Sequence, residues 1–316
     1  MVFNHLVFIF IIIINSFFEL FFKDFSINNQ SRIIIEKGMN LPEVSNLLKK
    51  NNIISNELAF KFWIRVNFAE KKIKFGEYEF KNEVSINKVV RKLKSGELFY
   101  RKLSIIEGSS RYDLLKKIEM IYPNEEIKFD KLSSYIVADT YFYNIAEGPE
   151  KLIKNINKIS LDISTKLWIQ RDSSVPFKNF KDILILSSIV EKETHFNEEK
   201  DKIAGVFYNR IKNGMRLQSD PTVIFSITEG KRKFERRLLR KDLKFESPYN
   251  TYLNKGLPPL PICFPGIKSI KATLNPDKNE FFYFVADPKI NGHIFSKHYH
   301  QHLENIKKIK EYKTHD

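Results

Sequence analysis

The segment Asp182-Ile-Leu-Ile-Leu-Ser-Ser-Ile-Val-Glu-Lys-Glu-Thr194 is the most informative part of the chain for predicting its fold. At about 100° per residue, its apolar side chains form one stripe, made of Ile183, Leu186, Ile189 and Val190. The pattern therefore predicts a helix with one buried face. Glu193 lies on that stripe, because it follows Ile189 by four residues and Val190 by three, whereas Glu191 lies well off it.

The two glutamates of this predicted helix are expected to ionise differently. Glu193 ends the buried face, where loss of hydration and the negative end of the helix dipole both raise a carboxyl pKa. An acid that stays protonated near neutral pH can serve as the general acid for glycosidic cleavage. An ordinary helix-end glutamate held by an arginine fits the same pattern of residues. Glu191 is expected to be solvated or paired with a lysine.

Composition limits the class of protein. The 316 residues suit one large domain or two of moderate size, and a hydrophobic fraction of 42% excludes wholesale disorder. A single cysteine, Cys263, excludes a scaffold of internal disulfides. The net charge of +15 admits a nucleic acid, an anionic membrane or an anionic polymer as partner, although scattered surface lysines explain it without one. No motif combines basic and aromatic residues for nucleic-acid binding, so we expect no nucleic-acid partner.

Two further segments stand out. Residues 1–22 are almost continuously apolar and approach the roughly 20 residues that a membrane-spanning helix needs, with Glu19 as the main interruption. They predict one retained transmembrane anchor, whose orientation the flanking charges do not define. The dense basic run Lys231–Lys241 contains Leu and Glu at helical spacing, which predicts a helix with a solvated face.

The remaining pattern predicts an α+β fold. Residues 31–100 read as a small α+β subdomain, residues 101–180 as a connecting α+β segment, and residues 181–316 as a larger domain. From Asp182 onward the chain becomes dense in Pro, Asn, Tyr and Asp motifs, where functional residues tend to lie.

Ser187–Thr194 strongly resembles the signature of the endolytic murein transglycosylase family, also called YceG-like, and six later segments resemble it in family order. These segments are Phe207–Arg210, Met215–Val223, Ser247–Tyr252, Gly256–Pro259, Phe282–Asp287 and Gly292–Ser296. Upstream, Phe75–Tyr78 and Ile106–Gly108 resemble the family's N-terminal part, which is LysM-like. The resemblance therefore covers nearly the whole chain and implies that residues 31–100 are a LysM-like subdomain and residues 181–316 the catalytic domain.

The resemblance also implies a function. The family cleaves peptidoglycan glycan strands internally, between N-acetylmuramic acid (MurNAc) and N-acetylglucosamine (GlcNAc), leaving 1,6-anhydro-MurNAc ends and terminating strand elongation. Such an enzyme is a lyase that needs no metal or organic cofactor. The resemblance places it in the bacterial cytoplasmic (inner) membrane as a single-pass protein with the catalytic part outside, in the periplasm. Peptidoglycan strands, the membrane and peptidoglycan synthases are the implied partners.

The family's catalytic glutamate precedes Thr in this motif and corresponds to Glu193, the residue that the apolar stripe also selects. Residues from the later motifs are expected to hold sugar hydroxyl or acetamido groups, or else to be loop and core residues: Gln218, Asp220, Tyr249, Asn250 and Thr251. Arg210 is expected to pair with an acid. His293 and His302 lack further ligands at metal-binding spacing, so no metal site is expected.

Three positions depart from the family pattern. Leu260 stands where the family commonly has Gly, Phe264 replaces a small or polar residue, and Ala138 precedes Asp139 where the family usually has Pro. The N-terminus also lacks the family's usual basic start. These departures concern loop shape and the efficiency of membrane insertion more than chemistry. One alternative function stays open at this point, a glycan-binding membrane anchor without activity that recruits cell-wall synthesis proteins.

Overall fold

The computed structural model describes residues 2–27 and 30–313. Helices and short antiparallel strands alternate along the chain, so the predicted mixture of helix and sheet is confirmed. Its contacts divide the chain into two units, Met1–Lys102 with Phe142–Gly148 and Leu103–Tyr141 with Pro149–Asp316.

Within the described residues, four α-helices and four complete strands belong to the first unit. In chain order they are α1 (Val2–Phe21), β1 (Phe25–Ser26), β2 (Ser31–Ile35), α2 (Leu41–Lys50), α3 (Glu57–Val66), β3 (Gly76–Phe80), β4 (Glu83–Val84) and α4 (Ile86–Ser95). β2 pairs with β3 and β1 with β4, both antiparallel. Ser85 caps the start of α4, and Gly96 ends that helix in the left-handed conformation that glycine adopts without strain.

Helix α1 is the one helix of the described residues that is long and apolar enough to cross a membrane. Most of its large side chains are exposed. Its last residue, Phe21, is buried and stacks on Trp63 of α3 with ring centroids 4.6 Å apart. The apolar face of α1 is thus left largely without a protein partner, except at its C-terminal end.

The second unit contains the remaining helices. They are α5 (Arg111–Ile121), α6 (Gly148–Trp168), α7 (Phe180–Glu193), α8 (Lys200–Lys212), α9 (Asp220–Thr228), α10 (Ile267–Leu274) and α11 (Tyr299–Lys313). β7 (Tyr283–Asp287) and β8 (Gly292–Ser296) form an antiparallel hairpin. β5 (Arg101–Ser104) pairs with β6 (Thr140–Tyr143), and the boundaries between the two units fall within these strands and at the start of α6.

Helix α7 is the centre of the second unit's core. The predicted helix is present, but every residue from Ile183 to Glu191 is buried, so the expectation of one buried face is wrong. The polar side chains outside the apolar stripe of α7 form hydrogen bonds within the protein. Ser187 donates to the hydroxyl of Thr273 in α10, and Ser188 accepts from the backbone N–H of Ile262. These partners are distant in sequence, so helical periodicity does not reveal them.

The basic run Lys231–Lys241 contains no helix, and the predicted solvated helix is wrong. A helix would place like charges four residues apart, for example Arg232 beside Arg236 and Arg236 beside Arg240, which is unfavourable. Instead, Arg236 forms a two-pronged ion pair with Asp242 at 2.6 and 2.9 Å. This pair holds the run as an irregular loop.

Candidate active site

The Glu193 carboxyl lies in a cavity of about 280 Å³ within the second unit. The cavity is lined by Glu193, Arg210, Leu217, Gln218, Asp220, Tyr252, Tyr283, Phe284, Tyr299 and His302. Five elements contribute these residues: the end of α7, α8, the start of α9, β7 and α11. Two loops supply the rest. Residues spread over more than 100 positions of sequence therefore meet at one acid.

Glu193 is half-buried, and its Oε1 accepts a hydrogen bond of 2.5 Å from the Ser219 hydroxyl. Burial is the main reason that its pKa is raised from 4.5 to about 7, and the nearby charge of Asp220 acts in the same direction. The Ser219 hydrogen bond and the positive charge of Arg210 oppose this rise in pKa. The carboxyl therefore remains partly protonated at neutral pH.

Arg210 is buried and donates to backbone carbonyls. Its Nε donates to Phe282 at 2.7 Å, and its Nη1 donates to Leu217 at 2.6 Å. Among the described residues no carboxylate forms an ion pair with it, so the expected pairing with an acid is wrong. Glu193 is accordingly not locked against an arginine, and its carboxyl faces the cavity.

Hydrogen bonds to Thr251, a residue that is 2% exposed, fix the loop before α9. The Thr251 hydroxyl accepts from the backbone N–H of Ser219 at 3.0 Å, and its carbonyl accepts from that of Gln218 at 3.2 Å. Gln218 adopts φ of +52°, a left-handed conformation that a non-glycine residue adopts only when neighbours enforce it. The Ser219 hydroxyl is thereby fixed against Glu193.

The predicted substrate-binding residues fall into two groups. Gln218 and Asp220 line the cavity, and Asp220 accepts a hydrogen bond of 2.6 Å from the Tyr252 hydroxyl. The other three, Tyr249, Asn250 and Thr251, do not line it. Tyr249 packs against Phe225, with ring centroids 4.8 Å apart.

Asn250 is fully buried. Its side-chain amide donates to the carbonyls of Leu243 and Phe245 at 3.0 and 2.8 Å. A direct sugar contact by Asn250 or Thr251 would require breaking these internal hydrogen bonds, which argues for a positioning role. Tyr252, next in the same motif, occupies the cavity wall instead, and sequence spacing does not separate the two tyrosines.

Sequence reasoning also missed the aromatic wall formed by Tyr283, Tyr299 and His302. His302 stacks on Tyr283 with ring centroids 5.3 Å apart. Burial and the charge of Arg210 lower the pKa of His302, which favours the neutral form of its ring. Of the three residues in this wall, only His302 was considered at sequence level, as a possible metal ligand, because spacing does not show that its ring packs on a tyrosine of another element.

Glu191 has an environment opposite to that of Glu193. It is 8% exposed and accepts from Lys200 Nζ at 3.0 Å, from the Gly266 backbone N–H at 2.9 Å and from Ser269 Oγ at 2.5 Å. Burial alone would raise its pKa, but these three hydrogen bonds outweigh burial and lower it. Pairing with a lysine is therefore found, whereas the alternative of a solvated side chain is wrong.

His293, the other histidine considered at sequence level, lies outside the cavity and contacts Glu199 through Nδ1 at 2.6 Å. Within residues 2–27 and 30–313, no group of three or more His, Cys, Asp or Glu side chains could hold a metal ion. Cys263 is buried, which raises the pKa of its thiol and leaves it unreactive.

Comparison with known proteins points to one family. A model of the YceG-like family matches residues 33–308. The endolytic murein transglycosylase of Bacillus subtilis (strain 168) is 30% identical over 306 residues, covering 85% of this chain and 82% of the relative. The protein of the same name from Streptococcus pneumoniae (strain R6) is 31% identical over 181 residues, covering 56% of this chain and 32% of the relative. A crystal structure of a YceG-like protein from Listeria monocytogenes is 28% identical, with a TM-score of 0.50, over 87% of this chain and 99% of that one.

Proposed function

The chain belongs to the YceG-like family, and on that premise we propose that it is a lytic transglycosylase that cleaves murein glycan strands internally. The products end in 1,6-anhydro-MurNAc. One observation carries the proposal: the Glu193 carboxyl, with its pKa raised to about 7, faces a cavity lined by polar and aromatic side chains. Such a group can give up a proton at neutral pH and take one back.

Cleavage begins with proton transfer from Glu193 to the glycosidic oxygen between MurNAc and GlcNAc. The bond from that oxygen to C1 of MurNAc breaks, and positive charge develops at C1. The C6 hydroxyl of the same sugar attacks C1, and Glu193, now a carboxylate, accepts the hydroxyl proton. Atoms balance without water, and the acid is regenerated. A second catalytic carboxylate is unnecessary because the nucleophile is already attached to the sugar.

The neighbours of Glu193 support both proton transfers. With Ser219 donating to Oε1, the acidic proton resides on Oε2 and is available to the substrate. The buried charge of Arg210 favours the carboxylate that remains after the first transfer, although no cation among the described residues forms an ion pair with Glu193. Burial raises the pKa of Glu193 and these two influences lower it, which leaves it near the pH at which one group can serve as acid and base.

Gln218, Asp220 and Tyr252 are proposed to contact the sugars. Their amide, carboxylate and hydroxyl groups lie at the cavity wall, and the exposed Gln218 and Asp220 can reach hydroxyl or acetamido groups of a bound strand. Tyr249, Asn250 and Thr251 are proposed to position this wall.

We propose that the first unit attaches the protein to the membrane and to glycan strands. Its α1 is of suitable length and composition for a single-pass anchor in the cytoplasmic membrane, with both units outside. A LysM-like role for residues 31–100 in glycan binding, and association with peptidoglycan synthases, complete the proposal. Both rest on the family resemblance.

The decisive variant is Glu193→Gln, which keeps the shape of the side chain but cannot give up a proton to the glycosidic oxygen. We expect it to release no anhydro-muropeptides from purified murein strands above background. Glu198→Gln is the matched control, since Glu198 is exposed and lies outside the cavity, and it should cleave at the wild-type rate. Full activity of Glu193→Gln in a correctly folded protein would refute the assignment.

The lyase chemistry has a separate test. Mass spectrometry of the products should show anhydro ends, lighter by one water than reducing MurNAc ends. Products with reducing ends would mean that water attacks C1, and the protein would be a hydrolase. A folded wild-type protein that cleaves no strands would favour the glycan-binding anchor instead.

A further inference from the structure

A second, larger cavity lies in the same unit, and the proposed reaction makes no use of it. Its volume is about 700 Å³. It adjoins the active site along the chain at two points, because Lys192 lines it while Glu193 lines the active site, and Pro221 lines it while Asp220 lines the active site. The two cavities therefore lie on either side of the same two short segments, the end of α7 and the start of α9.

The lining of this cavity is strongly basic. It includes Lys116, Lys192, Lys231, Arg232 and Lys233, against one acid, Asp113. Asp113 already has a local partner, since its carboxylate accepts from the backbone N–H of Ser110 at 2.8 Å in the cap of α5. The cavity therefore presents a net positive field to an incoming ligand.

Arg232 and Lys233 are the cations best able to bind a ligand. Both are exposed, and no carboxylate of the described residues forms an ion pair with either. The other cations have contacts already: Lys231 pairs with Glu229, and Lys192 donates to the carbonyl of Gly108 at 3.1 Å. An anion that enters the cavity can thus form new ion pairs without displacing existing ones.

The loop that carries these two cations is held at both ends. Before it, the Ser110 hydroxyl donates to the Gly230 carbonyl at 2.7 Å, and a Cβ at Gly230 would lie 2.9 Å from that of Ser110. After it, the ion pair between Arg236 and Asp242 fixes the chain. A loop held in this way loses little conformational freedom when a ligand binds, which favours affinity.

Aromatic rings supply the apolar part of the cavity. Tyr112, Phe225 and Phe234 line it, and Lys116 Nζ lies 4.6 Å from the centroid of the Tyr112 ring. Cations beside aromatic and aliphatic surface suit a ligand that alternates carboxylates with short apolar side chains, which is the chemistry of an acidic peptide. A flat anionic surface would not need such a concavity.

We propose that this cavity binds the carboxylates of the peptide branch that murein carries on its MurNAc residues. This inference rests on the proposed function, because the branch reaches the cavity when its sugar occupies the active site. A peptide spans about 3.3–3.6 Å per residue, so a branch of a few residues is long enough to do so. The cavity then gives the enzyme a preference for peptide-bearing strands over bare ones.

The test measures binding, so that it does not depend on catalysis. The full chain carrying Glu193→Gln is titrated with murein strands of defined length, either intact or stripped of peptides by an amidase. We expect the protein to bind intact strands about tenfold more tightly than stripped ones. Replacement of both cations, in Arg232→Gln/Lys233→Gln, should remove most of this affinity ratio, because each exposed ion pair contributes modestly and two are lost. Arg237→Gln/Arg240→Gln is the matched control, from the same run but outside the cavity, and should keep the ratio.

Equal binding of intact and stripped strands would overturn the inference, while cleavage of either by the wild type would leave the proposed function standing. A control pair that lowers the ratio as much as Arg232→Gln/Lys233→Gln would overturn it too, since general charge would then be the cause. Phosphatidylglycerol vesicles test the membrane alternative. Vesicle binding that depends on Arg232 and Lys233, with no peptide preference, would assign the cavity to lipid headgroups.

Discussion

At the scale of single residues, two glutamates two positions apart on one helix have pKa values shifted in opposite directions. Burial is the largest influence on both, but Glu191 has three hydrogen-bond donors and Glu193 has one. The pKa of Glu191 is therefore lowered, and that of Glu193 is raised to about 7. The count of donors, rather than burial alone, determines which carboxyl can act as an acid at neutral pH.

This difference predicts the pH dependence of cleavage. Glu193 must be protonated to start the reaction, so kcat/KM should fall about tenfold per pH unit above the pKa of about 7. The Ser219 hydrogen bond lowers that pKa, so Ser219→Ala should raise it and move the alkaline limb to higher pH. Initial rates of anhydro-end release from about pH 5 to pH 9 measure both effects.

Ser226→Ala is the control for this shift. Ser226 is a buried serine of α9 whose hydroxyl bonds within its own helix, to the Thr222 carbonyl at 2.7 Å. Its replacement should leave the pH profile in place. A limb that moves to lower pH in Ser219→Ala would contradict the role assigned to this hydrogen bond.

The sequence indicated Glu193 because local periodicity describes which residues share a face of one helix. It did not indicate that Glu191 is buried, since Lys200, Gly266 and Ser269 reach it from other segments. The same limit applies to the substrate-binding residues. Of the residues predicted to bind substrate, Gln218 and Asp220 line the cavity, whereas a turn buries Asn250 and Thr251 and exposes Tyr252 to the cavity.

At the scale of elements, Glu191 connects α7 to two other helices. It forms an ion pair with Lys200 at the start of α8 and accepts hydrogen bonds from residues at the start of α10. Lys200 Nζ is 3.0 Å from Glu191 Oε1, and the two side chains are 3% and 8% exposed. The Gly266 N–H that caps α10 points at the other oxygen of Glu191. The helix that ends in the proposed catalytic acid is thereby aligned with its two neighbours.

Glu191→Gln should therefore destabilise the fold while leaving the chemistry in place. Gln can still accept from Ser269, but Lys200 is left as a buried unpaired charge, at a cost of roughly 3–5 kcal/mol. Because the pKa of Glu191 is lowered, its contribution is complete above the unfolded value of 4.5 and is lost as pH falls through the folded pKa. Thermal unfolding should show a lower Tm at neutral pH and a smaller difference under acid conditions.

Glu191→Gln/Lys200→Met provides the check, because it removes the orphaned charge as well. It should be more stable than the single variant. Below the Tm, the folded fraction of either variant should cleave strands at a rate close to that of the wild type. Loss of activity without loss of stability in Glu191→Gln would instead make Glu191 part of the reaction.

Elements with strong local signals are the ones that the sequence predicted. The apolar spacing from Ile183 to Val190 located α7, and the apolar run of residues 1–22 located α1. The prediction for Lys231–Lys241 was wrong because the spacing of its residues resembles a helix, while its structure depends on contacts with Ser110 and Asp242. Ser110 is distant in sequence. Local patterns thus describe elements well, and tertiary contacts decide the segments between them.

At the scale of the whole molecule, α1 presents apolar side chains that the protein does not cover. Its 20 residues span about 30 Å at 1.5 Å per residue, which equals the hydrocarbon thickness of a bilayer. Glu19 pairs with Lys23 at 2.9 Å, and Phe17, Phe21 and Trp63 cluster at the same end. Charges and aromatic rings grouped at one end of an apolar helix are typical of a membrane interface.

Membrane attachment can be tested without shortening the chain. Ile11 and Ile12 lie mid-helix and are exposed, so Ile11→Arg/Ile12→Arg places two charges where each costs about 2.5–3.5 kcal/mol in a bilayer. The wild type should stay in the membrane pellet after alkaline carbonate extraction, and this variant should move to the soluble fraction. Ile11→Leu/Ile12→Leu, which preserves hydrophobicity, should stay in the pellet. Protease added outside spheroplasts should digest both units of the wild type. Extraction of the wild type by carbonate would contradict a membrane anchor. Protection of the two units from protease would contradict an anchor with the catalytic part outside.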